Sequence, residues 1–241
     1  MKNFSDKTYW LIGASEGLGR ELARELSRAG ARLVLSARNA ERLESLCAEL
    51  SDAQAVVLDI TDPVAVSEAA SGIGSIDGVI YNVGTYEPMR ATDWNAEVAL
   101  TMVDVNFMGA MRVLGELVPR FVQRGHGDIT LIGSLAGYSG LPASIGYGAS
   151  KAALISLAET MRQDLKDSGV AVRIVNPGFI KTRLTEKNDF KMPMLMSPEK
   201  AAKHVLKAMQ SSSFRTDFPA PFSWLIRTLK FLPDMLMYRG K

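Results

Sequence analysis

TYWLIGASEGLGRELARELSRAG, residues 8–30, joins a short apolar run to a helix-patterned segment through a loop that holds Gly13, Gly17 and Gly19. TYWLI, at residues 8–12, has the β-branched and aromatic content of a buried strand, and the segment from about Leu18 onward carries the spacing of a helix. Glycines at such a junction permit a tight turn, close approach of the backbone to a pyrophosphate and close packing of helix on strand. The helix N-terminus meanwhile offers unpaired N–H groups to an anion. The spacing is GxxxGxG, which differs from the commoner GxGxxG, and three glycines alone could be only a turn. Their position between the first strand and the first helix is what points to a phosphate cradle, with Gly13, Ser15, Glu16, Gly17, Leu18 and Gly19 as its candidate residues.

Outward from this unit the same alternation continues. Strand-like runs occupy residues 31–36, 55–60, 78–82, 128–133 and 170–176, and a short one falls at 214–218. Between them lie helical patterns at residues 40–50, 63–72, about 95–123 and 151–165. Strand and helix in turn imply an α/β fold with a doubly wound parallel sheet and helices on both faces, a Rossmann-type architecture. No repeat or low-complexity linker interrupts the pattern, so residues 1–241 are expected to form one domain.

Composition narrows the partners. The 241 residues carry a formal net charge of only +2 and no long Lys/Arg run, which argues against nucleic acid and for a small molecule. Cys47 is the single cysteine, so an intrachain disulfide is impossible. The short apolar run near the N-terminus does not match a signal peptide, and a reducing, cytoplasmic setting is expected. His126 and His204 are far apart and lack clustered Cys or carboxylate neighbours, so no metal site is expected.

Two patterns carry chemistry. The second strand-like run ends in SARN, where an acidic residue would grip a ribose 2′-hydroxyl; Arg38 stands there instead. A guanidinium forms a forked, charge-assisted pair with a 2′-phosphate, so NADP(H) is favoured over NAD(H), with nearby Glu16 working against that preference. Farther on, YGASK sets Tyr147 and Lys151 four residues apart at the start of a helix, on one face. A tyrosine used as an acid or base near neutral pH needs its pKa of about 10 lowered by roughly three units, about 4 kcal/mol, and a fixed cation is an obvious source. An exposed aromatic beside a solvated lysine would have the same spelling.

With GASEGLG, SARN, YNVG, VDVN, GSLAG, YGASK and NPGFIKT in this order, the sequence resembles the short-chain dehydrogenase/reductase family in its compact single-domain branch. The resemblance spans residues 8–182. It implies a catalytic set of Asn106, Ser134, Tyr147 and Lys151. Ser134 would orient the substrate oxygen, Tyr147 would exchange its proton, Lys151 would lower the tyrosine pKa and hold the nicotinamide ribose, and Asn106 would support a water linking Lys151 to solvent. It also implies that Asp59 and Ile60, ending the third strand, flank the adenine, and that Asn82 and Gly84 pass the adenosine ribose. Pro177, Gly178, Ile180 and Thr182 would line the nicotinamide and phosphate end, together with Tyr147 and Lys151. Two departures stand out: Ile12 replaces the usual threonine before the first glycine, and YNVG puts Tyr81 and Val83 where NNAG is usual.

The substrate loop corresponds to about residues 183–197, and Phe190, Met192, Met194, Leu195 and Met196 make it apolar, which suggests a hydrophobic carbonyl compound or alcohol. Residues about 219–238 depart from the family. Phe222, Leu225, Ile226, Leu229 and Leu232 follow helical spacing, Arg227 and Lys230 punctuate the run and Pro233 interrupts it. That amphipathic segment could cover the pocket, pack on a subunit or lie on a membrane surface. The expectation is a carbonyl reductase using NADP(H), assembled as a homodimer or homotetramer. The alternatives are a catalytically silent dinucleotide-binding regulatory protein and a membrane-peripheral lipid-binding protein.

Overall fold

A strand covered on both faces is apolar along its whole length, and the chain builds its sheet from such strands. The computed structural model describes residues 3–229, 231–233 and 235. It runs β1 (Thr8–Ile12), α1 (Gly17–Arg28), β2 (Arg32–Ala37), α2 (Ala40–Glu49), β3 (Ala53–Val57), α3 (Pro63–Gly72), β4 (Gly78–Tyr81), α4 (Ala96–Val103), α5 (Gly109–Gln123), β5 (Gly127–Ile132), α6 (Ile145–Asp164), β6 (Val170–Pro177), α7 (Pro198–Gln210), β7 (Arg215–Phe218) and α8 (Phe222–Leu229). The sheet has seven strands in the order β3-β2-β1-β4-β5-β6-β7, and every pairing is parallel. This is the doubly wound architecture expected. Helices α1, α2 and α7 contribute to the core on one face, and α3, α5 and α6 to the core on the other. Leu18, Leu22 and Leu26 of α1 are buried together, each leucine contributing about 2 kcal/mol by leaving water.

The third strand is the main difference in boundaries. It begins at Ala53 and ends at Val57, so Asp59 and Ile60 lie in the turn beyond it rather than at its end. The reason is local: β2 stops at Ala37, whose carbonyl takes one last bond from the Leu58 N–H at 3.0 Å. Asp59 then accepts from the Thr61 N–H at 2.9 Å and turns the chain away. In the C-terminal segment, α8 ends at Leu229, Ile226 is buried, and Leu225 and Leu232 are exposed, so the expected apolar stripe is divided between inside and outside. Lys230 and several of the residues after it lie outside the described residues.

Among the described residues, one helical stretch, Ala96–Gln123, is long and apolar enough to cross a membrane by length and composition. Here Ala110, Val113, Leu114, Leu117 and Phe121 instead form core against the sheet. At the opposite end of the sheet from the glycine loop, the Arg173 guanidinium pairs with Asp128, and both side chains are under 10% exposed. The Tyr9 hydroxyl donates to the same carboxylate at 2.9 Å. Arg173→Met would remove the buried guanidinium that pairs with that carboxylate, and a loss of about 3 kcal/mol in urea unfolding is expected.

Candidate active site

The loop after β1 turns back on itself because Gly13 and Gly17 adopt φ of +87° and +55°. Gly13 also lies so close to the Asn82–Val83 backbone that a Cβ would stand 3.0 Å from it. Asn82 locks the turn by donating to the Gly13 carbonyl at 2.8 Å. Glu16, which precedes helix α1, makes no side-chain capping bond to it, so the N–H groups at the helix start are left to attract an anion. A groove of about 710 Å³ opens over this loop. Its walls include Gly13, Ser15, Glu16, Gly17, Leu18, Arg38, Asp59, Ile60, Asn82, Gly84, Pro177, Gly178, Ile180 and Thr182, along with Ser134, Tyr147 and Lys151.

Two predicted residues are not on that wall. Gly19 faces the loop itself, and a Cβ there would sit 1.9 Å from the Gly13 carbonyl oxygen, so its role is to let α1 approach β1. Asn106 is fully buried. It lies in a π-helical turn, Asp104–Met108, between α4 and α5. Its Oδ1 accepts from the Thr85 N–H at 2.7 Å, and its Nδ2 donates to the Thr85 carbonyl and the Ser150 hydroxyl, both at 3.0 Å. The Ser150 hydroxyl in turn donates to the Tyr147 carbonyl at 2.8 Å, so Asn106 fastens the loop after β4 to the start of α6. A Cβ placed on Gly84 would lie 3.6 Å from Lys151 Nζ and 3.9 Å from Asn106 Oδ1, so both atoms border one small space.

Ser134 caps the 3₁₀ turn Leu135–Gly137, its hydroxyl accepting from the Ala136 N–H at 3.1 Å. Tyr147 lies in the first turn of α6, and Tyr86 meets its ring edge-on at 5.1 Å between centroids. Burial pushes the Tyr147 phenol above its ordinary pKa, while hydrogen bonding with Ser134 pulls the other way. Lys151 is not among the groups that shift the phenol in this arrangement. The reason is geometric: Lys151 Nζ donates to the Ile132 carbonyl at 3.0 Å and stands 5.8 Å from the Tyr147 ring centre. Burial also depresses the lysine to about 8.

A second cavity of about 880 Å³ adjoins the first and is bounded by Met89, Leu141, Phe179, Phe190, Phe222 and Ile226, among others. Ser134, Tyr147 and Gly178 belong to the walls of both cavities. Sequence reasoning did not find Tyr86, Ser150 or two groove cations, Arg42 and Arg183. Arg42 and Arg183 hold Glu16, at 2.6 and 2.7 Å. Arg42 had one visible signal, a second arginine four residues after Arg38 in the first turn of α2; Arg183 had none.

The family described as short chain dehydrogenase matches residues 7–192. The chain belongs to the short-chain dehydrogenase/reductase family. It is 34% identical over 244 residues to an uncharacterized oxidoreductase of Myxococcus xanthus, covering 98% of this chain and 96% of that one. It is also 34% identical to dehydrogenase/reductase SDR family member 7B of Bos taurus, over 73% of this chain and 58% of the relative. Among solved structures it is similar to a short-chain dehydrogenase from Sphingobium yanoikuyae in complex with NADPH. That similarity has a TM-score of 0.85 at 27% identity and covers 98% of this chain and 96% of that chain.

The family's departures now have a packing account. Ile12 is core, and the Tyr81 hydroxyl donates to the Val105 carbonyl at 2.6 Å, tying β4 to the π turn. Gly19→Ala tests the loop: the added methyl must push α1 off the Gly13 carbonyl, and a stability loss of about 2 kcal/mol by thermal or urea unfolding is expected.

Proposed function

We propose that this oxidoreductase uses NADP(H) to interconvert a hydrophobic ketone or aldehyde and its alcohol. The observation that carries the reading is that Ser134 and Tyr147 stand on the wall common to a glycine-floored groove and an apolar cavity. A dinucleotide suits the groove: a positive-φ glycine turn and an uncapped helix start suit its diphosphate, and Arg38 on the same wall suits a 2′-phosphate. When bound, the nicotinamide supplies or accepts hydride at the carbonyl carbon.

In the reductive direction, Ser134 donates a hydrogen bond to the substrate oxygen and holds it toward Tyr147, which gives up its phenolic proton. Lys151, charged at neutral pH, restores that proton and holds the nicotinamide ribose. Asn106 Oδ1 takes one bond from the Thr85 N–H, and its second lone pair can hold a water that connects Lys151 with solvent. Arg38 supports the preference for a 2′-phosphate. Glu16, which weighed against it, is engaged by Arg42 and Arg183, so its charge is balanced within the protein.

The reading extends to a cytoplasmic protein, with peripheral membrane contact through the C-terminal segment as its alternative. A homodimer or homotetramer is part of the same proposal, supported by the exposed Leu100, Met108 and Met111 of the α4–α5 stretch.

The test follows nicotinamide absorbance with NADPH and with NADH against ketones and aldehydes of graded polarity. Tyr147→Phe is expected to cut turnover at least about 100-fold while NADPH binding stays within about twofold. Turnover that survives in Tyr147→Phe, or a preference for small polar carbonyls, overturns the assignment. Arg38→Asp should weaken NADPH binding far more than NADH binding, and equal losses would remove the cofactor preference. Because a lysine depressed to about 8 loses its proton above that pH, the rate of carbonyl reduction should fall as pH rises through about 8. A flat profile from pH 6 to 10 would deny Lys151 its part in proton return.

A further inference from the structure

We propose that Asp217 and Arg227 form a clasp that holds helix α8 in place as the apolar wall of the substrate cavity, making them positioning residues for substrate selection. Helix α8 has eight residues, too few to be stable alone, and only Ser223 and Ile226 are buried along it. Trp224 and Leu225 face outward, at 66% and 58% exposure, so apolar packing supplies a narrow seam. Yet the helix presents Phe222 and Ile226 to the cavity, and Phe222 stacks on Phe179 with 5.8 Å between ring centres.

What seats it is polar. Arg227 donates to Asp217 Oδ2 at 3.1 Å, and that carboxylate is only 5% exposed. Asp217 Oδ1 accepts from the Tyr138 hydroxyl at 2.7 Å and from Asn176 Nδ2 at 2.8 Å. Asn176 Nδ2 also donates to the Tyr138 oxygen at 2.9 Å. Tyr138 closes the 3₁₀ turn that Ser134 opens, and Asn176 directly precedes Pro177 and Gly178. One carboxylate on β7 therefore ties together the cavity wall, the turn carrying Ser134 and the end of β6. The guanidinium groups of Arg215 and Arg227 both lie within 6 Å of the Tyr138 ring centre, which confines the phenol further. Arg215 also pairs with Glu159 of α6, the helix that bears Tyr147 and Lys151.

The two arms of the clasp predict different consequences. Loss of Arg227 frees α8 and enlarges the cavity without moving Ser134, so bulky apolar substrates suffer in KM while small ones do not. Loss of the Tyr138 hydroxyl loosens the turn that holds Ser134, so kcat suffers for all substrates. This kinetic division depends on the carbonyl-oxidoreductase reading, whereas the mechanical part does not.

The experiment compares the unmodified protein with Arg227→Met, Arg227→Lys and Tyr138→Phe by hydrogen exchange and by steady-state kinetics. Arg227 is 45% exposed on its side chain, so removing it should leave the sheet folded. Arg227→Met should speed amide exchange at residues 222–229 by about fivefold with the strands unchanged, the size expected for a partly exposed ion pair. It should also raise KM for a bulky apolar carbonyl by a similar factor at unchanged kcat for a small one. Arg227→Lys should recover most of both effects, and Tyr138→Phe should lower kcat with little change in KM. Unchanged exchange across residues 222–229 in Arg227→Met overturns the clasp, as does an equal kinetic loss for small and bulky substrates. Absence of any turnover in the unmodified protein would strike the oxidoreductase reading instead, leaving the exchange result to decide the clasp.

Discussion

Parallel pairing in one register is the constraint on which the site depends. Ile12 stands opposite Tyr81, Tyr81 opposite Leu131, and Ile132 opposite Val175, so β1, β4, β5 and β6 finish nearly level. The residues that follow those ends, Gly13, Asn82, Ser134 and Gly178, are thereby brought to one edge although 165 positions separate the first from the last. Because both faces of the sheet are covered by helices, this edge is where loop residues can line an open groove. The Gly13–Asn82 lock and the close seating of Gly19 are local adjustments to that edge.

Tyr147 and Lys151 show how burial acts against the charged forms of two neighbouring side chains. Tyr147 and Lys151 share a helix face as their spacing implies, but the low-polarity surroundings disfavour charge on either side chain. The ammonium is secured by the Ile132 carbonyl, and hydrogen bonding with Ser134 partly offsets the effect of burial on the phenol. Asn106 contributes through architecture: a π turn supplies the extra residue that swings its amide across to Thr85 and Ser150. Hydrogen bonds through Asn106 and Ser150 thereby join the start of α6 to the loop after β4.

Much of this was legible along the chain because it is local. Alternating strand and helix patterns, glycines at the first strand–helix junction and a Tyr–Lys pair one turn apart depend on neighbours within a few residues. The third strand was misjudged at its end because termination depends on where its partner β2 stops. The division of the C-terminal stripe was not legible either, since Leu225 and Ile226 have similar side chains and only the packing of α8 decides which one is covered.

The layered architecture, the glycine turn after β1 and the identity of the groups gathered at the strand ends were set along the chain, since these follow from periodicity and backbone freedom. Tertiary structure alone decided that Glu16 is shared by Arg42 and Arg183, that Lys151 turns to the Ile132 carbonyl, and that Asp217 gathers Tyr138, Asn176 and Arg227. Each is a meeting of side chains distant in sequence or set by the facing strand. Which donor reaches which acceptor depends on the sheet's register and the seating of the helices on it, and no spacing along the chain encodes that.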